Sequence, residues 1–456
     1  YEAGKVYIIF GSAQLSIYNT IEVSTFTGRM ITVSGESDGD RLGFLGAKGD
    51  MNGDGYEDAI LKAYLASPLG RSGAGTTYVV FGSVDLPERG DIDLAGTPEG
   101  VLKVYGIGRV GNYSDFAPWA TGCGDLNGDG FDDLLIGSRM GDPDGYNDAG
   151  ETFVIFGSTT ITDVHEIDLR DPVTGMMRIT GTASGEQTGN IVVSGDVNRD
   201  GYDDAVINAI GTGSVYIVFG NPDMNAGDTL PLNTSNKGIS ILYGGGLNSG
   251  VCPAIGDMNG DGINDIVLGA AFAGSGGTSY LIFGSEDFKN RKYINLSESR
   301  PDIIKIIDGY SGEYFGFRTA CGDINGDGYS DAIFSAHGAT STGKTRAGKT
   351  YVLWGRNAWD TSSLTSSVPE TFKLYQNYPN PFNPVTTISF LLPEACTVSM
   401  SIYTIQGEKV ADLVDSWFAV GPHTVVWNAS GCASGVYYYR ITAGGVVATK
   451  RMMLIK

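Results

Sequence analysis

Short runs in which apolar and polar residues alternate extend along the whole chain, and Gly, Asn and Asp separate them. One such run ends in an aromatic residue and Gly and recurs six times, as VYIIFG (6–11), TYVVFG (77–82), TFVIFG (152–157), VYIVFG (215–220), SYLIFG (279–284) and TYVLWG (350–355). Runs of this length with a period of two predict β-strands, and no long stretch has the period of an amphipathic helix. The pattern therefore predicts an all-β protein with many turns.

One acidic segment lies between each two successive aromatic–Gly strands. These segments, named loops 1 to 5 from here on, are DMNGDGYED (50–58), DLNGDGFDD (125–133), DVNRDGYDD (196–204), DMNGDGIND (257–265) and DINGDGYSD (323–331). Each repeat unit is predicted to contain four strands: one before the loop, one after it, the aromatic–Gly strand, and a fourth such as VLKVYG (101–106). Such units predict the blades of a β-propeller, because a ring closes the sheet edges that an open solenoid, the alternative, would leave exposed.

The number of blades follows from the number of units. Five units are complete or nearly complete, and the N-terminal segment adds only a third strand (5–10) and a fourth strand (30–34). We therefore predict about six blades, with seven as the alternative. The N-terminal half-blade is expected to be completed either by residues that precede Tyr1 or by another molecule.

The five loops share the pattern D-x-N-x-D-G-x-x-D, which is typical of a site for a hard cation. The side chains at positions 1, 3, 5 and 9 and the carbonyl of position 7 offer only oxygen ligands, which suit Ca²⁺ best. The Gly at position 6 permits the sharp turn. Position 12 is apolar, which excludes an EF-hand, because an EF-hand needs a Glu there.

We therefore predict about five calcium sites, one in each loop. The predicted side-chain ligands are Asp50, Asn52, Asp54 and Asp58 in loop 1, Asp125, Asn127, Asp129 and Asp133 in loop 2, Asp196, Asn198, Asp200 and Asp204 in loop 3, Asp257, Asn259, Asp261 and Asp265 in loop 4, and Asp323, Asn325, Asp327 and Asp331 in loop 5. The predicted carbonyl ligands are those of Tyr56, Phe131, Tyr202, Ile263 and Tyr329. Position 2 is always apolar and is predicted to pack inward, whereas Arg199, at position 4 of loop 3, is predicted to point outward.

Composition narrows the classes of function. The chain has 52 acidic and 30 basic residues and a formal charge of −22, so it lacks the excess of Lys and Arg that binding to nucleic acid requires. No apolar run is long enough to cross a membrane. Of the five cysteines, Cys123 and Cys321 are predicted to be buried thiols, while for Cys396 and Cys432 a disulfide and two separate thiols both remain open.

The unit of first strand, DxNGDGxxD loop, second strand and YVxFG strand resembles the FG-GAP repeat of integrin α-subunit propellers and their bacterial relatives. The resemblance covers about residues 1–355. It implies calcium in the loops, at one end of the blades, with a mainly structural role. Integrin-type propellers imply seven blades, more than this chain contains.

After a Ser/Thr-rich linker (356–370), residues 371–456 change in pattern and predict a small antiparallel β-sandwich. YPNPFNPVTTISFLLP (378–393), IYTIQGEKV (402–410), SGVYYYRIT (434–442) and KRMMLIK (450–456) resemble the C-terminal sorting domain of the type IX secretion pathway of Gram-negative bacteria. This resemblance implies contact with the secretion machinery and an extracellular or cell-surface location.

Three functions remain open, and the leading one is a secreted or cell-surface calcium-binding structural or adhesive protein. Such a protein is expected to self-associate, through strand or domain exchange, into an extracellular filament or tube, or to bind other surface proteins or glycans. The alternative is a monomeric propeller module that binds a glycan or a protein. A propeller lyase or hydrolase is third. We predict that the protein is not an enzyme, because its three histidines, His165, His337 and His423, lack the spacing of a metal site or a catalytic triad.

Overall fold

The computed structural model describes residues 3–11, 20–24, 26, 29–43, 46–110, 113–114, 121–171, 175–233, 238–247, 251–307, 312–340, 346–356, 372–377, 379–392, 396–418 and 421–456. The chain divides into two compact units, Tyr1–Trp359 and Asp360–Lys456. The predicted linker lies outside the described residues except for Arg356. Each unit is described by itself.

The first unit is built almost entirely from short strands, because β-branched and aromatic residues alternate between frequent Gly and Asp turns. Its strands are β1 (Lys5–Ile9), β2 (Met30–Ser34), β3 (Ala47–Gly49), β4 (Asp58–Ala63), β5 (Thr76–Val80), β6 (Ile92–Asp93), β7 (Val101–Tyr105), β8 (Arg109–Val110), β9 (Tyr113–Ser114), β10 (Thr121–Gly124), β11 (Asp133–Ser138), β12 (Glu151–Ile155), β13 (Glu166–Asp168), β14 (Met176–Thr180), β15 (Thr188–Gly195), β16 (Asp204–Ala209), β17 (Ser214–Val218), β18 (Thr229–Pro231), β19 (Ile239–Tyr243), β20 (Val251–Gly256), β21 (Asp265–Ala270), β22 (Thr278–Ile282), β23 (Tyr293–Asn295), β24 (Ile303–Ile307), β25 (Phe315–Gly322), β26 (Asp331–Ala336) and β27 (Lys349–Leu353). Single turns of 3-10 helix occur at Pro68–Gly70, Leu86–Glu88, Pro143–Gly145, Ile161–Asp163 and Phe288–Asn290.

Within the described residues, these strands form six successive sheets and a separate β8–β9 pair. In order of pairing, sheet 1 is β1-β2-β6, sheet 2 is β3-β4-β5-β7-β13, sheet 3 is β10-β11-β12-β14-β18, sheet 4 is β15-β16-β17-β19-β23, sheet 5 is β20-β21-β22-β24, and sheet 6 is β25-β26-β27. The predicted order of four antiparallel strands is confirmed in sheets 2 to 5, and sheet 1 contains the predicted third and fourth strands. The unit is therefore all-β and propeller-like, and none of its described sheets closes on itself.

A fifth strand at the outer edge of sheets 2 to 4, and the matching β6 in sheet 1, were not predicted from the sequence. Each is supplied by the following repeat and pairs in parallel with the fourth strand, as β13 does with β7 and β23 does with β19. These strands contain two or three residues, and only tertiary contact defines them. They link each sheet to the next at its outer edge.

Successive sheets pack face to face, and each of the five interfaces has its own apolar core. Alternation along a strand sends neighbouring side chains to opposite faces. Thus Val79 of β5 packs in the core shared with sheet 3, while the next residue, Val80, packs in the core shared with sheet 1. The central sheets are apolar on both faces because both faces are covered.

The second unit is a two-sheet sandwich, as predicted. Its strands are β28 (Lys373–Leu374), β29 (Val385–Leu392), β30 (Cys396–Thr404), β31 (Lys409–Phe418), β32 (Gly421–Asn428), β33 (Gly435–Ala443) and β34 (Val446–Leu454). The sheets β28-β29-β32 and β31-β30-β33-β34 share one core, to which Phe390, Met400, Trp427 and Tyr439 contribute. Cys396 and Cys432 are both reduced in this structure.

Candidate metal loops

Each acidic loop connects the first and second strands of one sheet, so all five occupy equivalent places. The Gly before the loop pairs with the Asp at position 9, as Gly49 does with Asp58 and Gly256 does with Asp265. Position 12 lies in the second strand and is buried in every case, from Leu61 to Phe334.

The first half of each loop is folded by its own carboxylates. In loop 1, the Asp50 carboxylate accepts hydrogen bonds from the backbone N–H groups of Asp54 (3.1 Å) and Gly55 (2.8 Å). Asn52 Oδ1 accepts from Asp54 N–H at 3.0 Å, and Asp54 Oδ1 accepts from Tyr56 N–H at 2.9 Å. The turn places Gly55 at a φ of 86°, which a residue without Cβ adopts at little cost. Positions 1, 3 and 5 are thereby held side by side.

The Asp at position 9 has a second role that the sequence did not reveal. Its carboxylate accepts one hydrogen bond from the N–H of position 2 and another from the N–H of the Gly that ends the aromatic–Gly strand. In loop 1 these bonds join Asp58 to Met51 (2.9 Å) and to Gly82 (2.8 Å). The same two bonds occur at Asp133, Asp204, Asp265 and Asp331, at 2.9 to 3.0 Å. Position 9 therefore ties the loop to the third strand of its own sheet.

These position 9 carboxylates are expensive to bury in the charged form. Each has an exposure of 0 or 1%. Loss of hydration, opposed by the two backbone hydrogen bonds and assisted by the nearby carboxylates of Asp50 and Asp54, raises the pKa of Asp58 to about 6. The same causes raise the pKa of Asp133 and of Asp265 to about 7 and that of Asp204 to about 8. A cation in the loop would offset this repulsion.

The donor set fits a hard cation better than any other group. All predicted ligands are oxygens, and Asn198 Oδ1 in loop 3 is buried without a hydrogen-bond partner in this structure. Among the described residues, no three His, Cys, Asp or Glu side chains gather into a metal cluster by themselves. The structure therefore does not bring the three predicted Asp ligands of a described loop together into a cluster of their own. A bound Ca²⁺ would supply positive charge at the end of each sheet.

Neighbouring loops also form hydrogen bonds with one another, and the sequence analysis did not predict these contacts. The N–H of position 8 donates to the position 1 carbonyl of the preceding loop, as Asp132 does to Asp50 (3.1 Å) and Ser330 does to Asp257 (2.8 Å). The residue after the aromatic–Gly strand donates to the position 2 carbonyl of the preceding loop, as Ser158 does to Met51 at 2.9 Å. Both bonds occur at all four junctions between loops 1 and 5. Neighbouring loops therefore form one continuous hydrogen-bonded row.

A ring at position 7 packs over the Gly at position 4 of the preceding loop. A Cβ on Gly53 would lie 2.5 Å from the Phe131 ring, and Gly128 and Gly260 would meet Tyr202 and Tyr329 at 2.3 Å. Loop 3 is the exception, since it has Arg199 at position 4, and there the next loop has Ile263 in place of a ring. Arg199 is exposed, as predicted, but it also donates from Nη1 to the Asp261 carbonyl at 3.3 Å. The simultaneous changes at position 4 of loop 3 and position 7 of loop 4 were the sequence signal for this contact.

Loop 5 differs from the others at position 2. Met51, Leu126, Val197 and Met258 are fully buried there, as predicted. The prediction is wrong for Ile324, which is 52% exposed. The reason is that the next sheet covers position 2 in loops 1 to 4, and no described sheet follows sheet 6.

The two inner-strand thiols that were predicted to be buried, those of Cys123 and Cys321, are only partly buried. Cys123 and Cys321 are reduced, and burial raises the pKa of both thiols above the usual range, assisted by nearby carboxylates. Cys123 fills the space between the first strands of sheets 2 and 3, because a Cβ on Gly49 would lie 2.4 Å from Cys123 Sγ.

Comparison with known families supports both predicted resemblances, that of the repeats and that of the C-terminal domain. The family described as FG-GAP repeat matches residues 117–155, 253–282 and 315–353, and the family described as secretion system C-terminal sorting domain matches residues 376–456. No helix in the described part of the chain has the length and apolar character needed to cross a membrane.

Relatives of known name match only part of their own length. Integrin alpha pat-2 of Caenorhabditis briggsae is 28% identical over 242 residues, which are 49% of this chain and 18% of the relative. Phosphatidylinositol-glycan-specific phospholipase D of Rattus norvegicus is 30% identical over 171 residues, which are 35% of this chain and 19% of the relative. This chain thus spans about a fifth of each relative.

Among solved structures, dimeric latent PorU from Porphyromonas gingivalis aligns with a TM-score of 0.17 and 11% identity, over 75% of this chain and 29% of that chain. A superposition at that level carries no argument. The FG-GAP matches are consistent with the six propeller-like sheets and with the acidic loop in each repeat. The chain therefore contains FG-GAP repeats and, at residues 376–456, a type IX secretion sorting domain, which indicates secretion to the cell surface or the extracellular space of a Gram-negative bacterium.

Proposed function

We propose that this protein is a calcium-binding structural or adhesive component of the cell surface, and that it is not an enzyme. The row of five hydrogen-bonded loops carries the proposal. At positions 1, 5 and 9 each loop has an Asp, and at position 3 it has an Asn, at the junction between two sheets. Ca²⁺ bound there would stabilise the contact between neighbouring sheets as well as the loop itself.

The ligands are those of the sequence prediction, at positions 1, 3, 5, 7 and 9 of each loop. Their role is structural in this proposal, because positions 1, 2 and 8 of the same loops join neighbouring sheets through backbone hydrogen bonds and position 9 ties each loop to its own sheet. A titration of the metal-free protein with calcium, followed by calorimetry, tests this point. We expect about five sites with Kd values of ~10⁻⁴–10⁻³ M, the range of extracellular modules. Absence of calcium binding at these concentrations would overturn it.

The chemistry of one cavity supports the part of the proposal that the protein is not an enzyme. A cavity of about 540 Å³ between sheets 1 and 2 is lined by Glu36, Asp38, Asp40 and Tyr105 together with Ser, Thr, Gly, Pro, Leu and Ala residues, and no His, Cys or Arg lines it. The phospholipase relative does not change this, since the match covers 19% of that protein. Hydrolysis of glycan or lipid substrates by the purified protein would contradict the proposal.

Self-association is the finer part of the proposal, and two exposed apolar faces support it. In the interface of sheets 2 and 3, Met51, Val79 and Phe81 of one sheet pack against Phe153 and Ile155 of the next. The equivalent positions in sheet 6 are Ile324, Val352 and Trp354, with exposures of 52, 41 and 51%.

The opposite half of that interface is exposed at the other end of the unit. In sheet 1, Tyr7 and Ile9 stand where Phe153 and Ile155 stand in sheet 3, and they are 41 and 37% exposed. Two complementary faces on one chain favour head-to-tail contact between copies, which generates filaments when the rotation does not close.

Electron microscopy of the extracellular material, with calcium and with excess chelator, tests self-association. Regular fibres or tubes that Trp354→Lys abolishes are the expected result, with Trp417→Lys in the second unit as the matched control, since Trp417 is also exposed. Dispersed particles under both conditions would favour the alternative, a monomeric module that binds a glycan or a protein.

A further inference from the structure

All Asn-Gly pairs of the chain lie at positions 3 and 4 of the acidic loops. They are Asn52-Gly53, Asn127-Gly128, Asn259-Gly260 and Asn325-Gly326, whereas loop 3 has Asn198-Arg199. When an Asn side chain loses ammonia, the backbone nitrogen of the next residue is the nucleophile that attacks its amide carbon. Gly leaves this nitrogen least hindered, because it has no side chain beside it. Four of the five loops therefore contain the dipeptide that favours this reaction.

The turn of the loop polarises the side-chain amide of the Asn. In loop 2, Asn127 Oδ1 accepts a hydrogen bond from the N–H of Asp129 at 3.0 Å. Attack on the amide carbon moves negative charge onto this oxygen, and a hydrogen bond that is already in place stabilises that charge. The equivalent bond is 2.8 Å long in loops 4 and 5 and 3.0 Å long in loop 1.

A carboxylate accepts the hydrogen of the attacking nitrogen in three of these loops. The N–H of Gly128 donates to Asp125 Oδ1 at 2.6 Å. Gly260 and Gly326 make the same 2.6 Å bond to the position 1 Asp of their own loops. The carboxylate is thus within reach of the proton that the nitrogen must lose. The loop holds the nucleophile, its proton acceptor and the polarised amide together.

Loop 3 has the same row of acidic residues without this arrangement. The N–H of Arg199 donates to Asp196 Oδ1 at 2.5 Å, as position 4 does in loops 2, 4 and 5. However, Asn198 is 2% exposed, and its Oδ1 has no hydrogen-bond partner in this structure. Its Nδ2 faces the carboxylate of Asp204 at 3.3 Å instead. The amide of Asn198 is therefore neither polarised nor open to water.

We propose that Asn52, Asn127, Asn259 and Asn325 are sites of spontaneous deamidation in the metal-free chain, and that Asn198 is not. In loop 2, the Gly128 nitrogen forms a bond to Asn127 Cγ, and the bond between Cγ and Nδ2 breaks. The proton of the Gly128 nitrogen passes through the Asp125 carboxylate to Nδ2, which leaves as ammonia. Water then adds to one carbonyl of the cyclic imide and opens it to Asp or isoaspartate.

The product changes the charge at the junction between two sheets. Asn127 Nδ2 donates to Asp129 Oδ2 at 3.0 Å, and conversion of Asn127 to Asp replaces this donor by a carboxylate. Two like charges then face each other and repel. Each conversion therefore adds one negative charge and weakens the loop. The inference concerns the metal-free chain and does not depend on calcium binding.

Prolonged incubation of the full chain in mildly alkaline buffer with excess chelator tests the inference. Samples are taken while the unfolding transition is unchanged, and their proteolytic peptides are analysed by mass spectrometry and by an isoaspartate methyltransferase assay. We expect Asn127 and Asn259 to convert at least about tenfold faster than Asn198. Because Asn198 occupies the same loop position in the same chain, it is an internal control.

Loops 3 and 4 also suggest a matched variant. Their combination of Arg at position 4 and Ile at position 7 is transferred to loops 2 and 3 by Gly128→Arg together with Tyr202→Ile. The second substitution removes the ring that a Cβ on Gly128 would meet at 2.3 Å, and Arg199 already adopts a φ of 59° at this position. We expect conversion of Asn127 to fall at least about tenfold, while Asn259 in the same chain keeps its wild-type rate.

Three results would overturn the inference. One is equal conversion of Asn127 and Asn198 in the folded wild-type chain, a comparison that needs no variant to fold. Another is conversion of Asn127 and Asn259 only in a chain unfolded by urea, which would mean that the loop protects them. The third is an unchanged rate at Asn127 in the folded double variant.

Discussion

The two units of this protein solve the same problem, the covering of a sheet, by different means. In the second unit, two sheets face each other across one apolar core, and no loop of the D-x-N-x-D-G type occurs in it. In the first unit, six sheets pack in succession, and four of the five interfaces combine an apolar core with an acidic loop that contacts the loop of the neighbouring sheet. The first unit therefore concentrates negative charge at the junctions between its sheets, whereas no acidic loop of this type lies between the sheets of the second unit.

Removal of calcium is expected to give the largest difference in stability between the two units. If each site contributes about 1.4 kcal/mol at calcium concentrations of about ten times Kd, five sites contribute roughly 7 kcal/mol, which is comparable with the net stability of a domain. We expect excess chelator to lower the Tm of the first unit by many degrees and to leave that of the second unchanged, as measured by calorimetry. A single unshifted transition for the whole chain would remove the distinction.

Loss of a position 9 carboxylate is expected to have the next largest effect. Asp204→Ala leaves the buried N–H groups of Val197 and Gly220 without acceptors, at a cost of about 1–3 kcal/mol each. Urea unfolding of the metal-free chain measures the change without any contribution from calcium. Asp415→Ala, on the exposed surface of β31, is the control and should leave the midpoint in place.

Position 2 tests whether burial comes from the neighbouring sheet. Leu126→Ala should destabilise the first unit by about 2–5 kcal/mol, as truncation of a buried Leu does, while Ile324→Ala should change the monomer by less than about 0.5 kcal/mol. Equal effects of the two substitutions in the monomeric chain would mean that Ile324 is covered in solution.

The pH dependence of calcium affinity sharpens the electrostatic side of the comparison. In the metal-free chain, burial raises the pKa of Asp58 to about 6 and that of Asp204 to about 8, so protonated carboxyls must lose a proton when calcium binds. Affinity should therefore fall as the pH decreases from 8 to 6, by up to about tenfold per unit at a given loop, and binding should release protons. Calorimetry in two buffers of different ionisation enthalpy measures the protons released. Constant affinity across this range would contradict the raised pKa values.

The smallest effect is expected from the contact between Arg199 and Ile263. Ile263→Tyr alone should place a ring against the Arg199 side chain and destabilise the junction, and Arg199→Gly in the same chain should restore the arrangement of the other loops. A double-mutant cycle in urea should give a favourable coupling of about 0.5–1.5 kcal/mol. A coupling of zero would mean that the paired sequence change is coincidental.

Much of the fold could be predicted because it is written in local patterns. The alternation in TYVVFG and its five equivalents specifies a strand, and Gly at position 6 specifies a turn, whatever surrounds them. The two strands β1 and β2 were also predictable, since they have the sequence pattern of the third and fourth strands of the other sheets. The parallel strands β6, β13, β18 and β23 could not be predicted, because two or three residues hold no periodic signal.

The same division applies to the loops. The sequence alone determined which residues form the five acidic loops, that their side chains offer oxygen ligands, and that the last part of the chain is a sorting domain. Tertiary structure decided that Asp58 and its equivalents also bind the Gly of the third strand, and that a ring at position 7 closes over the preceding loop. It also decided that Ile324 is exposed where Met51 is buried. The physical reason is that loop chemistry depends on the nine residues of the loop, whereas burial and shared hydrogen bonds depend on which sheet lies next to it.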